Sequence, residues 1–139
     1  MKLKWLLPLC LLLSSCSWLQ WYRRPEHAPP EQAAQFQFPL ELPAESRLKV
    51  PGVTATAIQL AMDDFRPPGA RPHSGATAEE QCLYRRESYN VFAAPASEGV
   101  MLVRFVLAPE ACDLKDPVLD LGATYAIDVQ QWRVLAIQR

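Results

Sequence analysis

Cysteine thiolates, neighbouring carboxylates and histidine all occur in this chain of 139 residues, and each type can serve as nucleophile, acid–base group or metal ligand. Their spacing decides whether they do. Cys10 and Cys16 lie near the start and Cys82 and Cys112 far downstream, with neither the CxxC pair nor the companion histidine of a zinc or dithiol centre. Asp63 and Asp64 are adjacent, but neighbouring side chains on a helix diverge by about 100° and do not face each other, so they read as solvated carboxylates. His73 stands in a stretch rich in proline and glycine, without a Cys, His or carboxylate at metal spacing, and reads as a solvated histidine. Asp113, Asp116 and Asp120 lack the glycine and terminal glutamate of an EF-hand loop. Motifs of the GxSxG, HExxH, phosphate-loop and dinucleotide types do not occur, and nothing brings Ser88, His73 and an aspartate together as a triad. The expectation is no catalytic residue, no metal, no cofactor and no enzyme.

One cysteine has informative surroundings. Cys16 ends the run Leu13-Ser14-Ser15-Cys16. Before it, Lys2 and Lys4 make a short basic region and residues 5–13 an apolar one, as in a secretory signal. The apolar run is shorter than the roughly 20 residues that cross a bilayer. Cys10 follows the bulky Leu9 and does not fit the same pattern. The arrangement resembles the signal peptide and lipobox of bacterial lipoproteins. That resemblance implies that residues 1–15 are a signal peptide and that Cys16 becomes the palmitate-bearing mature N-terminus. Several acyl chains hold a protein where one binds only marginally, so a lasting membrane anchor through Cys16 is implied. Ser17 in place of Asp implies, by analogy with enteric lipoproteins, the outer membrane, with the protein facing the periplasm of the cell envelope.

Taking away Lys2 and Lys4 moves the formal net charge from −1 to −3. No basic field is left to attract nucleic acid, and none is expected as a partner. Residues 16–51 read as the lipidated N-terminus and a proline-rich tether, with Pro25, Pro29, Pro30, Pro39, Pro43 and Pro51 opposing helix. Residues 17–22, SWLQWY, followed by Arg23 and Arg24, suit a membrane interface or a plain tether. Within the tether, Phe36, Phe38, Leu40 and Leu42 alternate with Gln35, Gln37, Pro39 and Glu41, an apolar edge of period two. It reads as an edge strand docked on its own domain or as a strand offered to a partner's sheet, with self-docking preferred.

Residues 52–139 then form one small domain. Ile58, Ala61, Met62 and Phe65 make the apolar stripe of a short helix, with Thr56 and Gln59 as a capping box or Thr54 as a rival cap, and Arg66-Pro67-Pro68-Gly69 as its end. Residues 84–92 and 101–107 have strand composition around turn residues 95–99. A hairpin centred on Ser97 puts Tyr89, Val91, Met101, Val103, Phe105 and Leu107 on one face, leaves Arg86, Ser88, Asn90 and Arg104 on the other, and sets Cys82 opposite Cys112. Arg85 and Glu87 spoil the apolar face. In the oxidising compartment that the lipoprotein resemblance implies, Cys82 and Cys112 are expected to form a disulfide. A second hairpin, 123–128 with 132–137, places Tyr125, Ile127, Leu135 and Ile137 on one face and Thr124, Asp128 and Trp132 on the other.

One helix and four antiparallel strands in two hairpins imply a two-layer α+β domain, the helix covering the apolar side of the sheet. In element order it is similar to cystatin-like and other helix-on-sheet folds, without the QxVxG loop of cystatins, so the likeness extends to shape and not to protease inhibition. The function expected is that of a membrane-anchored, non-catalytic module that binds a protein partner in the envelope, through Phe36, Phe38, Leu40, Leu42 or Trp132. The alternative is a small-ligand binder or weak enzyme with a cavity lined by Tyr89, Phe105 and Tyr125; a solitary structural role is the third reading.

Overall fold

The computed structural model describes residues 25–114 and 121–139. The expected signal peptide, Cys16, the SWLQWY stretch, Asp116 and Asp120 lie outside them. The chain divides into two units at Arg47 and Leu48. In the first, the one regular element among the described residues is a single helical turn, α1, Pro30–Ala33, which begins with the proline that a first helical turn tolerates.

The second unit is an α+β domain. Helix α2, Gly52–Phe65, lies across a four-stranded antiparallel sheet in the order β1, Tyr89–Ser97; β2, Val100–Leu107; β3, Ala123–Asp128; β4, Arg133–Gln138. The helix touches all four strands. Its centre line is Ala57 and Ala61, both fully buried, and the small side chains let the backbone come close to the sheet. Ile58, Leu60, Met62 and Phe65 flank that line and pack on the core. The stripe read from the sequence is thus present, turned towards Ala57. The capping box expected at Thr56 is not. Pro51 occupies the N-cap, Thr56 falls inside the helix, and its hydroxyl donates back to the Gly52 carbonyl at 3.0 Å.

Residues 84–88 are not strand. Thr77 and Glu80 form a reciprocal capping box, the Glu80 N–H donating to Thr77 Oγ1 at 3.2 Å and the Thr77 N–H to Glu80 Oε2 at 2.7 Å. That cap starts a second helix in this unit, α3, Ala78–Leu83, followed by a 3₁₀ turn, Arg86–Ser88. Arg85 and Glu87, which disturbed the apolar alternation, lie before the sheet begins. Ser88 is buried, not on the polar face: its hydroxyl donates to the Cys82 carbonyl at 2.7 Å.

β1 instead runs on to Ser97, around a bulge, and turns at Glu98 and Gly99, whose φ of 74° suits glycine. Tyr89 pairs with Leu107 and Val91 with Phe105, a register two residues away from one centred on Ser97. Because the displacement is even, the side chains within β1 and β2 keep their expected faces. In the second hairpin Tyr125 pairs with Ile137, on the shared face expected, but beyond Ala126 the register shifts by one. Ala126 pairs with Ala136 but Ile127 with Val134, so a bulge at Leu135 puts Val134 towards the core in its place. Leu135 and Ile137 stay exposed on the edge strand. At Gly122 the chain passes so close to the Phe105 carbonyl that no Cβ would fit.

Candidate functional site

The covered side of the sheet is filled with rings. Phe65 stacks on Phe105 with centroids 4.7 Å apart and meets Tyr89 edge-on at 4.9 Å, while Phe105 meets Tyr125 edge-on at 5.8 Å. Both buried hydroxyls are satisfied. Tyr89 donates to the Leu83 carbonyl at 2.8 Å and accepts from Arg66, and Tyr125 donates to Asp64 at 3.0 Å. Tyr89, Phe105 and Tyr125 therefore make a packed core rather than the walls of a ligand cavity.

Asp63 and Asp64 diverge as adjacent helical residues must, yet neither is simply solvated. Asp63 accepts from Arg86 at 2.7 Å, while Asp64 anchors Tyr125. Burial raises the Tyr125 pKa, and the hydrogen bond and charge of Asp64 add to the rise against an opposite pull from Arg139. Arg86 also donates to the Arg66 carbonyl at 2.9 Å. Arg66 in turn donates to the carbonyls of Leu83 and Phe65, and its guanidinium lies 4.2 Å from the Phe65 ring centroid. These groups lock the end of α2 to the segment that precedes β1.

Cys82 and Cys112 are joined by a disulfide with Cα atoms 5.9 Å apart. The pair is the one expected, in a different setting. Cys82 sits on α3 and Cys112 in the turn after β2, so the bond clasps a helix to a loop instead of bridging two strands.

The far side of the sheet carries no helix among the described residues. There, Phe92 on β1 lies opposite Arg104 on β2, and Leu102 and Val106 stand before and after Arg104 on the same face. Phe92 is 59% exposed, and Leu102 and Val106 are 37% exposed. Arg104 makes no hydrogen bond or ion pair with the described residues. This apolar group around a cation was missed in the sequence. Phe92 alternates with core residues Val91 and Ala93, which marks the strand, but which side the helix leaves bare depends on the pairing.

Trp132 lies in the β3–β4 turn and not on a strand, with φ at 53° and 40% of its surface exposed. Asp128 builds this turn: its Oδ1 accepts from the N–H groups of Gln130 at 2.9 Å and Gln131 at 3.0 Å. Donation by the Gln131 N–H is the main cause holding its carboxyl below the usual range; burial opposes, and Gln130 and Arg133 assist. The Val129 N–H donates to the Gly99 carbonyl at 2.9 Å, so both hairpin turns share one end of the sheet.

Phe36, Phe38, Leu40 and Leu42 are all exposed, and none belongs to a strand. The strand expected over residues 36–42 does not form, and Pro39 withholds a donor N–H there. The Phe36 and Phe38 rings instead meet edge-on at 4.9 Å.

His73 borders a cleft of about 490 Å³, together with Arg71, Gln81, Tyr84 and Arg85. Groups of three or more His, Cys, Asp or Glu able to hold a metal do not occur among the described residues. Nor, among those residues, is any helix long and apolar enough to cross a membrane. No family model matches this chain, and comparisons with curated proteins and with solved structures return no match.

Proposed function

We propose that this chain is a lipoprotein of the bacterial envelope, anchored at the outer membrane through acylated Cys16 and facing the periplasm, and that it acts as a non-catalytic module binding a protein partner. The observation that carries the binding role is the apolar group of Phe92, Leu102 and Val106 around Arg104 on the uncovered side of the sheet. Exposed aromatic and aliphatic surface is disfavoured in a protein that meets only water, and an arginine set among such groups is a common anchor of interfaces.

Two further features support the same reading. Trp132 keeps a large aromatic exposed at a backbone conformation that costs a non-glycine residue about 1–2 kcal/mol. Such strain accords with a side chain retained for contact. The exposed alternation of Phe36, Phe38, Leu40 and Leu42 suits addition to a partner's sheet edge. The packing of Tyr89, Phe105 and Tyr125 in the core favours the protein-binding reading over the small-ligand one.

Site-specific photocrosslinking in cells tests the proposal. A crosslinking residue at position 92 or 132 is expected to trap one reproducible envelope protein, while the same residue at Gln59, exposed on α2, traps none. Recovery of the chain alone from both positions, or equal trapping from position 59, would rule the surface out.

A further inference from the structure

We propose that the cleft beside α3 binds the phosphate of a phosphorylated sugar, at a site separate from the uncovered sheet face. The cleft, about 490 Å³, is formed by the loop at residues 70–76 and by Gln81, Tyr84 and Arg85. Its volume falls within the usual range for small-ligand sites and exceeds what a lone phosphate fills.

The charges carry the inference. Arg71, Arg85 and His73 line the cleft, and no carboxylate lines it. Neither Arg71 nor Arg85 makes a hydrogen bond or an ion pair with the described residues. The arginines nearest in the fold behave differently: Arg66 is taken up by Leu83, Phe65 and Tyr89, and Arg86 by Asp63 and the Arg66 carbonyl. Two arginines thus stabilise the fold and two belong to residues that line one cleft, in a chain whose formal net charge is −1. A guanidinium presents forked N–H donors that match the oxygens of a phosphate. One small cleft with two such groups fits a single compact anion, not the extended backbone of a nucleic acid.

Hydrogen bonds join the walls of the cleft. The Gln81 side chain donates to the Ala76 carbonyl at 3.1 Å, tying the loop to α3, and the Ala76 N–H donates to the His73 carbonyl at 3.2 Å. The Thr77–Glu80 cap holds the helix start beside them. Tyr84 is 42% exposed and offers a ring wall against which a sugar can rest, with the Arg66 guanidinium 5.3 Å from its centroid. The sugar phosphate comes either from a lipid headgroup or from a free metabolite, and both present the same group to Arg71 and Arg85.

The test uses the full chain purified in neutral detergent, observed by NMR through the arginine Nε–H signals and by calorimetry. Glucose 6-phosphate is expected to bind saturably and to move the Arg71 and Arg85 signals, with inorganic phosphate weaker and glucose silent. The double variant Arg71→Gln/Arg85→Gln should weaken binding about tenfold or more with an unchanged melting temperature. A phosphorylated glycolipid added to the micelles distinguishes the sources: tighter binding than glucose 6-phosphate assigns a lipid headgroup, weaker binding a free sugar phosphate. Absence of saturable binding by both sugar phosphates, binding unaltered in the double variant, or equal affinity for glucose or inorganic phosphate would overturn the proposal. Because these residues lie outside the Phe92 surface, crosslinking there can fail while sugar-phosphate binding holds, and the reverse.

Discussion

The Tyr125 hydroxyl and the Asp64 carboxylate show how one hydrogen bond settles the use of two polar groups. Tyr125 is fully buried, and its donation to Asp64 at 3.0 Å relieves the cost of burying a phenol. Burial first, then Asp64, raises its pKa above the usual 10.0. The folded protein therefore holds that proton more tightly than the unfolded one. The resulting stability is complete below the unfolded pKa and is lost as pH rises through the raised folded value. Tyr125→Phe is expected to cost about 1 kcal/mol near neutral pH and to make the alkaline loss of stability shallower. Urea unfolding at about pH 7 and about pH 11 checks both, since the variant lacks the titrating group. An alkaline loss identical to that of the parent would show that Tyr125 does not contribute to it.

At the scale of elements, the disulfide and the Arg66–Arg86 cluster do related work on different sides of one short segment. Residues 78–88 form a six-residue helix and a 3₁₀ turn, too short to persist alone in water. The cluster holds them to the end of α2, and the Cys82–Cys112 bond holds them to the turn that follows β2. The sequence separation of 30 encloses the whole β1–β2 hairpin. Closing a loop of that length stabilises a fold by about 3–4 kcal/mol on the chain-entropy model. Cys82→Ala/Cys112→Ala is expected to lower the urea midpoint accordingly, and intact mass before and after reduction should differ by two hydrogens in the parent alone. An unchanged midpoint would show that the cluster suffices to place the segment.

For the whole molecule, the functional reading depends on where the domain is held. On the lipoprotein proposal, an acyl anchor would keep the exposed Phe92 surface and the basic cleft within reach of the envelope. Cys16→Ala is expected to abolish palmitate incorporation and release the protein from membranes, assayed by fractionation with a labelled fatty acid. Continued acylation and sedimentation with membranes would remove the lipoprotein proposal. Among the described residues, no helix is long and apolar enough to cross a membrane.

The sequence by itself determined the α+β class, the order of helix and strands, and the inward faces of β1 and β2, because period-two alternation survives an even displacement of register. It also singled out Cys82 and Cys112 from their numbers and setting. Only the tertiary structure decided that residues 84–88 are not strand, since the Arg66–Arg86 contacts outweigh their strand-like composition, whereas the helix that carries Cys82 is signalled locally by the Thr77–Glu80 spacing. It also decided that Val134 and not Leu135 faces the core, because a bulge depends on two strands and neither carries it alone. The Phe92 surface and the Arg71–Arg85 cleft were illegible for the same reason. Exposure and the absence of a partner charge are properties of what packs nearby, and a linear order of residues does not contain them.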